Sequence, residues 1–154
     1  MTTRFTPGER FEEQLAIDQS ESRGIWTHLG WNRVELEPGR SVFEWTPTTD
    51  HAFPTIEGGW IVHGGMVTAL LDSAMGAATW SLLNNDEVFL TADLRTEFYR
   101  PTPLALVRGT GLVVHKTRKI TFCQAELHDA NGALLASCRG TNVTLEMREP
   151  TARE

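Results

Sequence analysis

A chain of 154 residues is long enough to bury a core of its own and short enough to form a single domain. Its net charge of −6 argues against nucleic acid as the main partner, because binding a phosphate backbone needs clustered positive charge. With 40% hydrophobic and 22% charged residues the composition is that of a soluble globular protein, and its two cysteines, Cys123 and Cys138, stand in no metal-ligand spacing.

In chain order, residues 1–23 read as a polar N-terminal arm with one weak helical pattern around Phe11, Leu15 and Ile17. The first residues carry no apolar signal region and no run is long enough to span a bilayer, which predicts a cytoplasmic protein with no membrane partner. Reduced, strand-borne cysteines fit that compartment. Strands are expected over 25–36 and 41–46, parted by the turn Glu37-Pro38-Gly39-Arg40, and residues 48–60 read as a loop.

The period then changes. Val67, Leu70, Leu71, Ala74, Met75 and Ala78 fall at helical spacings and predict a helix over about 64–83, ending at Asn84-Asn85. Four strands follow, over 87–100, 104–116, 120–128 and 133–146, with Asn131-Gly132 as a strong hairpin turn between the last two. In the first of them alternation predicts Val88, Leu90, Ala92 and Leu94 on one face, with Thr91, Asp93, Arg95 and Glu97 on the other. Residues 148–154 read as a flexible tail. One apolar helix and five to six strands joined mostly by hairpins predict an α+β fold, a curved antiparallel sheet wrapped around a long central helix.

Asp72 is the chemically conspicuous residue, a carboxylate inside that apolar helix, where burial without a partner is costly. Gly65, Thr68, Asp72, Gly76 and Thr79 line a small, polar stripe beside the apolar face, open to a second chain or a thin ligand. A structural role, with Asp72 bonded to a neighbouring hydroxyl, is the competing reading. The backbone N–H groups at His63-Gly64-Gly65 form a helix mouth where negative charge is favoured. The glycines alone also permit a tight turn, and His63 is best read as accepting a backbone hydrogen bond. Lys116, Arg118 and Lys119 form one basic cluster, either a solvated turn or a site for a phosphorylated ligand. No serine-nucleophile elbow, dinucleotide fingerprint or metal-ligand spacing is present; Gly109-Thr110-Gly111 runs on into a strand.

Val62-His63-Gly64-Gly65 with Asp72 nine residues after the histidine, together with Thr91-Ala92-Asp93-Leu94, Phe98-Tyr99-Arg100-Pro101, Val113-Val114-His115-Lys116 and Arg139-Gly140-Thr141, resembles the hotdog-fold acyl-CoA thioesterases of the PaaI type. The likeness runs over about 25–146, within a thioesterase domain drawn at 24–147. It implies a hydrolase of acyl-CoA or aryl-CoA thioesters that needs no cofactor and no metal. By the resemblance Asp72 is nucleophile or general base, the Gly64 backbone N–H polarises the thioester carbonyl, and Thr91 orients water or the carboxylate. It further implies a homodimer with sites shared between subunits, and pairing of dimers into a tetramer. The coenzyme A phosphates would meet Lys116, Arg118 or Lys119, with Arg100 and Arg139 next in line. The chain departs from the family where Asn and Gly are common before the histidine, carrying Glu57 and Trp60 there, so that Glu57 is a candidate second carboxylate. A non-catalytic acyl-CoA-binding protein and a hotdog hydratase or dehydratase are the rival readings. The acyl group is not legible; Trp60, Trp80, Phe89 and Met75 are candidates for its pocket or for core.

Overall fold

The computed structural model describes residues 4–16 and 24–147. Two short helices, α1 (Phe11–Ala16) and α2 (Ile25–Leu29), precede a hairpin of β1 (Asn32–Glu37) and β2 (Arg40–Trp45). A 3-10 turn at Thr49–His51 enters a small separate hairpin, β3 (Ala52–Pro54) and β4 (Trp60–Val62), which hands the chain to α3 (Gly64–Trp80). Four long strands complete the fold: β5 (Glu87–Phe98), β6 (Val107–Lys116), β7 (Ile120–Asp129) and β8 (Leu134–Glu146). The main sheet runs β1-β2-β6-β7-β8-β5 and every neighbouring pair is antiparallel. A central helix wrapped by a six-stranded antiparallel sheet is the α+β architecture expected from the sequence.

The helix forms where the apolar spacing places it. Val67, Leu70, Leu71, Ala74, Met75 and Ala78 are all fully buried against the sheet, and burial of each large side chain contributes about 1.5–3 kcal/mol. Its last expected residues, 81–83, form turns instead, with Leu82 N–H and Leu83 N–H bonded back to the carbonyls of Thr79 and Trp80. Where α3 crosses β6 the backbones nearly touch: a Cβ on Gly111 would lie 2.3 Å from the carbonyl carbon of Ala74. Only glycine fits there, which gives Gly109-Thr110-Gly111 a packing role. Ser41 Oγ donates to the Ala74 carbonyl at 2.7 Å, fixing β2 to the same turn of helix. Cys123 and Cys138 are free, buried thiols in this core, and burial pushes Cys123 up to about 11.

Three expectations are corrected. Residues 25–36 divide: Ile25–Leu29 is helical and the strand starts at Asn32. Ile25, Trp26 and Leu29 have i, i+1, i+4 spacing, and Gly30 in the left-handed region closes the turn. Residues 48–60 hold the 3-10 turn, capped by Thr48, and most of the small hairpin. In β5 the alternation is inverted up to Thr91, where Leu90 stands 62% exposed, while Leu94 faces inward as expected. Phe89 and Thr91 face the helix, and a bulge between Thr91 and Asp93 resets the parity so that Leu94, Thr96 and Phe98 continue that face.

Candidate active site

Asp72 sits two turns into α3, half-buried, with Thr91 Oγ1 donating to its Oδ1 at 3.0 Å. Removal from water raises the proton affinity of this carboxylate above the usual range, and the Thr91 hydrogen bond draws it partly back. A carboxylate with raised basicity, held by one hydroxyl, is equipped to take a proton from water.

That carboxylate opens onto a cavity of about 400 Å³. Ser73, Gly76, Ala77 and Trp80 of α3 line it together with Phe89 and Thr91 of β5, and its remaining wall comes from Gln14 and Trp26. Trp80 and Phe89 meet edge to face with centroids 5.9 Å apart. Of the four aromatic and apolar residues considered for a pocket, Trp80 and Phe89 line this cavity. Met75 is buried core, and Trp60 lies on the small hairpin, outside this cavity. Neither Gln14, within a weak helical pattern, nor Trp26, expected in a strand, was legible as a pocket residue.

The small-residue stripe is also corrected. Thr68 bonds Thr96 at 3.0 Å, Asp72 bonds Thr91, and Phe89 packs on Gly76, so this row docks on β5 of its own chain. Thr79 is fully buried, accepting from Asn142 Nδ2 at 2.7 Å, and Gly65 is exposed at the helix mouth.

At that mouth His63 takes the plain role expected of it, its Nδ1 accepting from Gly65 N–H at 2.9 Å. The His63 carbonyl accepts from Met66 N–H and Val67 N–H. Gly64 N–H is left without a partner among the described residues, a donor at the positive end of the helix. A Cβ at Gly64 would lie 3.1 Å from the Phe98 ring, so the aromatic edge and the bare backbone share one wall. Gly64 lines a second cavity of about 330 Å³ with Phe53, Val67, Phe98, Tyr99 and Arg100.

The other candidates divide by distance. Arg100 shares the Gly64 cavity, its Nη1 donating to the Leu134 carbonyl at 2.7 Å. Lys116, Arg118 and Lys119 turn between β6 and β7 beside the Glu87 end of β5, whereas Gly64 meets the Phe98 end. The ends of this 12-residue strand are eleven residue steps apart (98 − 87), about 36 Å. Arg139 lines a groove with Asp93, Phe122 and Gln124, away from both cavities. Glu57 is exposed in the tight turn of the small hairpin and lines neither cavity. Among the described residues no helix is long and apolar enough to cross a membrane, and no His, Cys, Asp and Glu side chains gather to hold a metal ion.

Residues 59–136 match the family model of the thioesterase superfamily. Solved structures with the same fold include AziG from S. sahachiroi, 27% identical with a TM-score of 0.73, covering 80% of this chain and 98% of that one. A thioesterase from Haemophilus influenzae is 18% identical with a TM-score of 0.71 over 85% of this chain and 89% of its own. A thioesterase family protein from Silicibacter pomeroyi is 24% identical with a TM-score of 0.72 over 80% and 90%. No curated protein matches the chain.

Proposed function

Because the chain belongs to the thioesterase superfamily, we propose that it hydrolyses acyl-CoA thioesters, after the PaaI pattern, with Asp72 as general base or nucleophile and the Gly64 N–H as oxyanion donor. The observation that carries this reading is Asp72 itself, a desolvated carboxylate held by Thr91 at the edge of an apolar cavity. In the general-base course Asp72 takes a proton from water, the hydroxide adds to the carbonyl, and the oxyanion is held on Gly64. Collapse breaks the C–S bond, and the coenzyme A thiolate leaves and is protonated.

The two groups cannot act on one carbonyl within one protomer. Asp72 follows Gly64 by eight residues, about 12 Å along the helix, whereas both must lie about 3 Å from the reacting atoms. Two chains related by a two-fold axis supply both, the Gly64 mouth of one meeting the Asp72 cavity of the other. The twelve-residue strand β5, which pairs only with β8 among the described residues, offers its free edge for that contact. Exposed Leu90, Ile120, Phe122 and Leu145 support further pairing of dimers.

Thiol release from a panel of acyl-CoAs tests the activity. Asp72→Asn keeps shape and loses basicity, and is expected to lower kcat by roughly 10²-fold or more. A variant that keeps most of its turnover removes Asp72 from the chemistry, and binding without release by the unaltered protein makes it a carrier.

A further inference from the structure

We propose that the Gln14 carboxamide is a second hydrogen-bond partner of the water that Asp72 activates, so that the N-terminal segment completes the hydrolytic site; this rests on the thioesterase reading above. Four polar side chains line the Asp72 cavity besides its apolar and aromatic wall: Gln14, Asp72, Ser73 and Thr91. Thr91 is engaged with Asp72 Oδ1, which leaves Oδ2 open toward the cavity. The Gln14 carboxamide takes no hydrogen bond among the described residues, and it carries both an acceptor and donors. A water held by one carboxylate oxygen alone is free to swing, and a second partner fixes its direction.

Two independent lines of contact bring Gln14 to the level of Asp72. The first follows the N-terminal segment. Gly8 N–H donates to the Ser81 carbonyl at 2.9 Å, Arg10 N–H donates to the Leu83 carbonyl at 3.2 Å, and the Arg10 guanidinium carbon lies 5.1 Å from the Trp80 ring centroid. Gln14 N–H donates to the Arg10 carbonyl at 3.0 Å, so Gln14 stands one helical turn, about 6 Å, beyond the C-terminal end of α3. The second line crosses the sheet. Arg33 donates to the Gln14 carbonyl, Arg33 pairs with Phe43, and Phe43 pairs with Gly109. A Cβ on Gly109 would meet Leu71 at 3.5 Å and Leu70 at 3.6 Å, the two residues before Asp72. Thus α1 runs back along α3 from Trp80 toward Asp72.

The backbone of Gln14 is fixed at both polar groups, its N–H by Arg10 and its carbonyl by Arg33, and its side chain is left for the cavity. The amide oxygen accepts one O–H of the water and Asp72 Oδ2 accepts the other. A lone pair of the water then points out of the cavity, toward the thioester carbonyl held on the Gly64 N–H of the second chain. In the step itself the O–H bond facing Asp72 breaks and its proton passes to Oδ2. The O–H facing Gln14 stays intact, and the oxygen lone pair forms the new C–O bond. Asp72 is the one carboxylate lining this cavity, and Arg33 stands behind Gln14 on its carbonyl.

The test compares Gln14→Met and Gln14→Glu with the unaltered protein, by steady-state kinetics across pH on an acyl-CoA that it turns over. Met keeps the length and loses the amide, so kcat should fall roughly 10- to 10²-fold with KM little changed. Glu keeps an acceptor at the same reach and sets a second negative charge facing Asp72. It should recover part of the kcat lost in Gln14→Met. The acidic limb of its profile should move to higher pH, because like charges hold each other's protons. Both variants should melt with the unaltered protein, since the bonds that fasten α1 do not use this side chain. If Gln14→Met melts early, the acidic limb of Gln14→Glu decides. A Gln14→Met variant that keeps its turnover, or a Gln14→Glu limb that stays where it was, overturns the proposal and leaves the thioesterase reading standing. If the unaltered protein releases thiol from no acyl-CoA, that reading fails and this role falls with it.

Discussion

Thr91 Oγ1 donates to Asp72 Oδ1 across 3.0 Å, joining the middle of the edge strand to the middle of the buried helix. The bond stabilises the charged form of a carboxylate that burial otherwise disfavours. Thr91→Val keeps the volume and removes the donor, so Asp72 should hold its proton more tightly. The acidic limb of the kcat/KM profile should move to higher pH, with kcat at its plateau reduced about tenfold. An unmoved acidic limb would assign that limb to another group.

The same carboxylate should weaken the fold. Burial raises the proton affinity of folded Asp72 above that of the unfolded chain, so the folded state binds the proton more tightly. The ionised form therefore costs stability above the carboxylate range, and that cost is relieved as pH falls through the raised folded value. Asp72→Asn removes it and still accepts from Thr91. Its Tm at neutral pH should exceed that of the unaltered protein by a few degrees, a difference that shrinks toward acidic pH in paired thermal melts. A lower Tm at neutral pH would mean that the charge has a stabilising partner.

His63 is read as a cap, not an acid or base. Its Nδ1 satisfies Gly65 N–H and so holds the turn that leaves Gly64 N–H open. His63→Ala should cost about 1 kcal/mol of stability, the usual scale for an N-cap. His63→Asn, a favourable cap without an imidazole, should restore both stability and most of the turnover. If Asn restores the melting temperature but not kcat, the imidazole takes part in the reaction.

Much of the architecture was legible because the core of α3 obeys one rule throughout: Val67, Leu70, Leu71, Ala74, Met75 and Ala78 follow helical spacing and all are buried. Strand β5 was misread because a bulge is a backbone event: Val88 and Leu90 look like the inner face until the extra residue at Ala92 is seen. In the small-residue row, open on sequence to a second chain or a thin ligand, Thr68, Asp72 and Gly76 find partners in Thr96, Thr91 and Phe89 of the same chain. Asp72 and Gly64 stood out because a carboxylate in an apolar helix and a glycine pair at its start are locally unusual. Gln14 and Trp26 did not, since they share a cavity with Asp72 only through tertiary docking, across 58 and 46 positions of sequence respectively (72 − 14 and 72 − 26).

The placement of Arg100 changes the expected order of the basic residues. It shares the cavity of Gly64, whereas Lys116, Arg118 and Lys119 sit at the far end of β5 in the same protomer. An antiparallel two-fold contact along β5 would carry the partner's basic turn back toward this mouth. Arg100→Ala should therefore raise KM for acyl-CoA more than any single change in the turn, with kcat little altered. Reversing Lys116, Arg118 and Lys119 together to Glu should raise KM further and weaken its salt dependence. If the triple variant leaves KM where it was, the turn is a solvated loop.

Gly64 N–H and Asp72 are about 12 Å apart along one rigid helix, and each lines a different cavity. No side-chain motion closes that gap, because both cavities are anchored to the same α3. A shared site makes a specific prediction for mixtures. Asp72→Asn disables the carboxylate half and Gly64→Pro removes the open N–H, so each homodimer should be inactive. Pro at the first helical position is well tolerated by the helix itself, and Gly64→Ala, which brings the same Cβ against Phe98 but keeps the N–H, separates loss of the donor from that contact. After subunit exchange, each mixed dimer holds one site with an intact Gly64 from one chain and an intact Asp72 from the other. A mixture of equal parts should recover about a quarter of the unaltered activity, since half the dimers are mixed and each regains one of two sites. Exchange is followed by native mass spectrometry of the two tagged parents. Mixed dimers that form and stay inactive would place both groups in one protomer's site, and a monomer by sedimentation at assay concentration would end the two-chain mechanism.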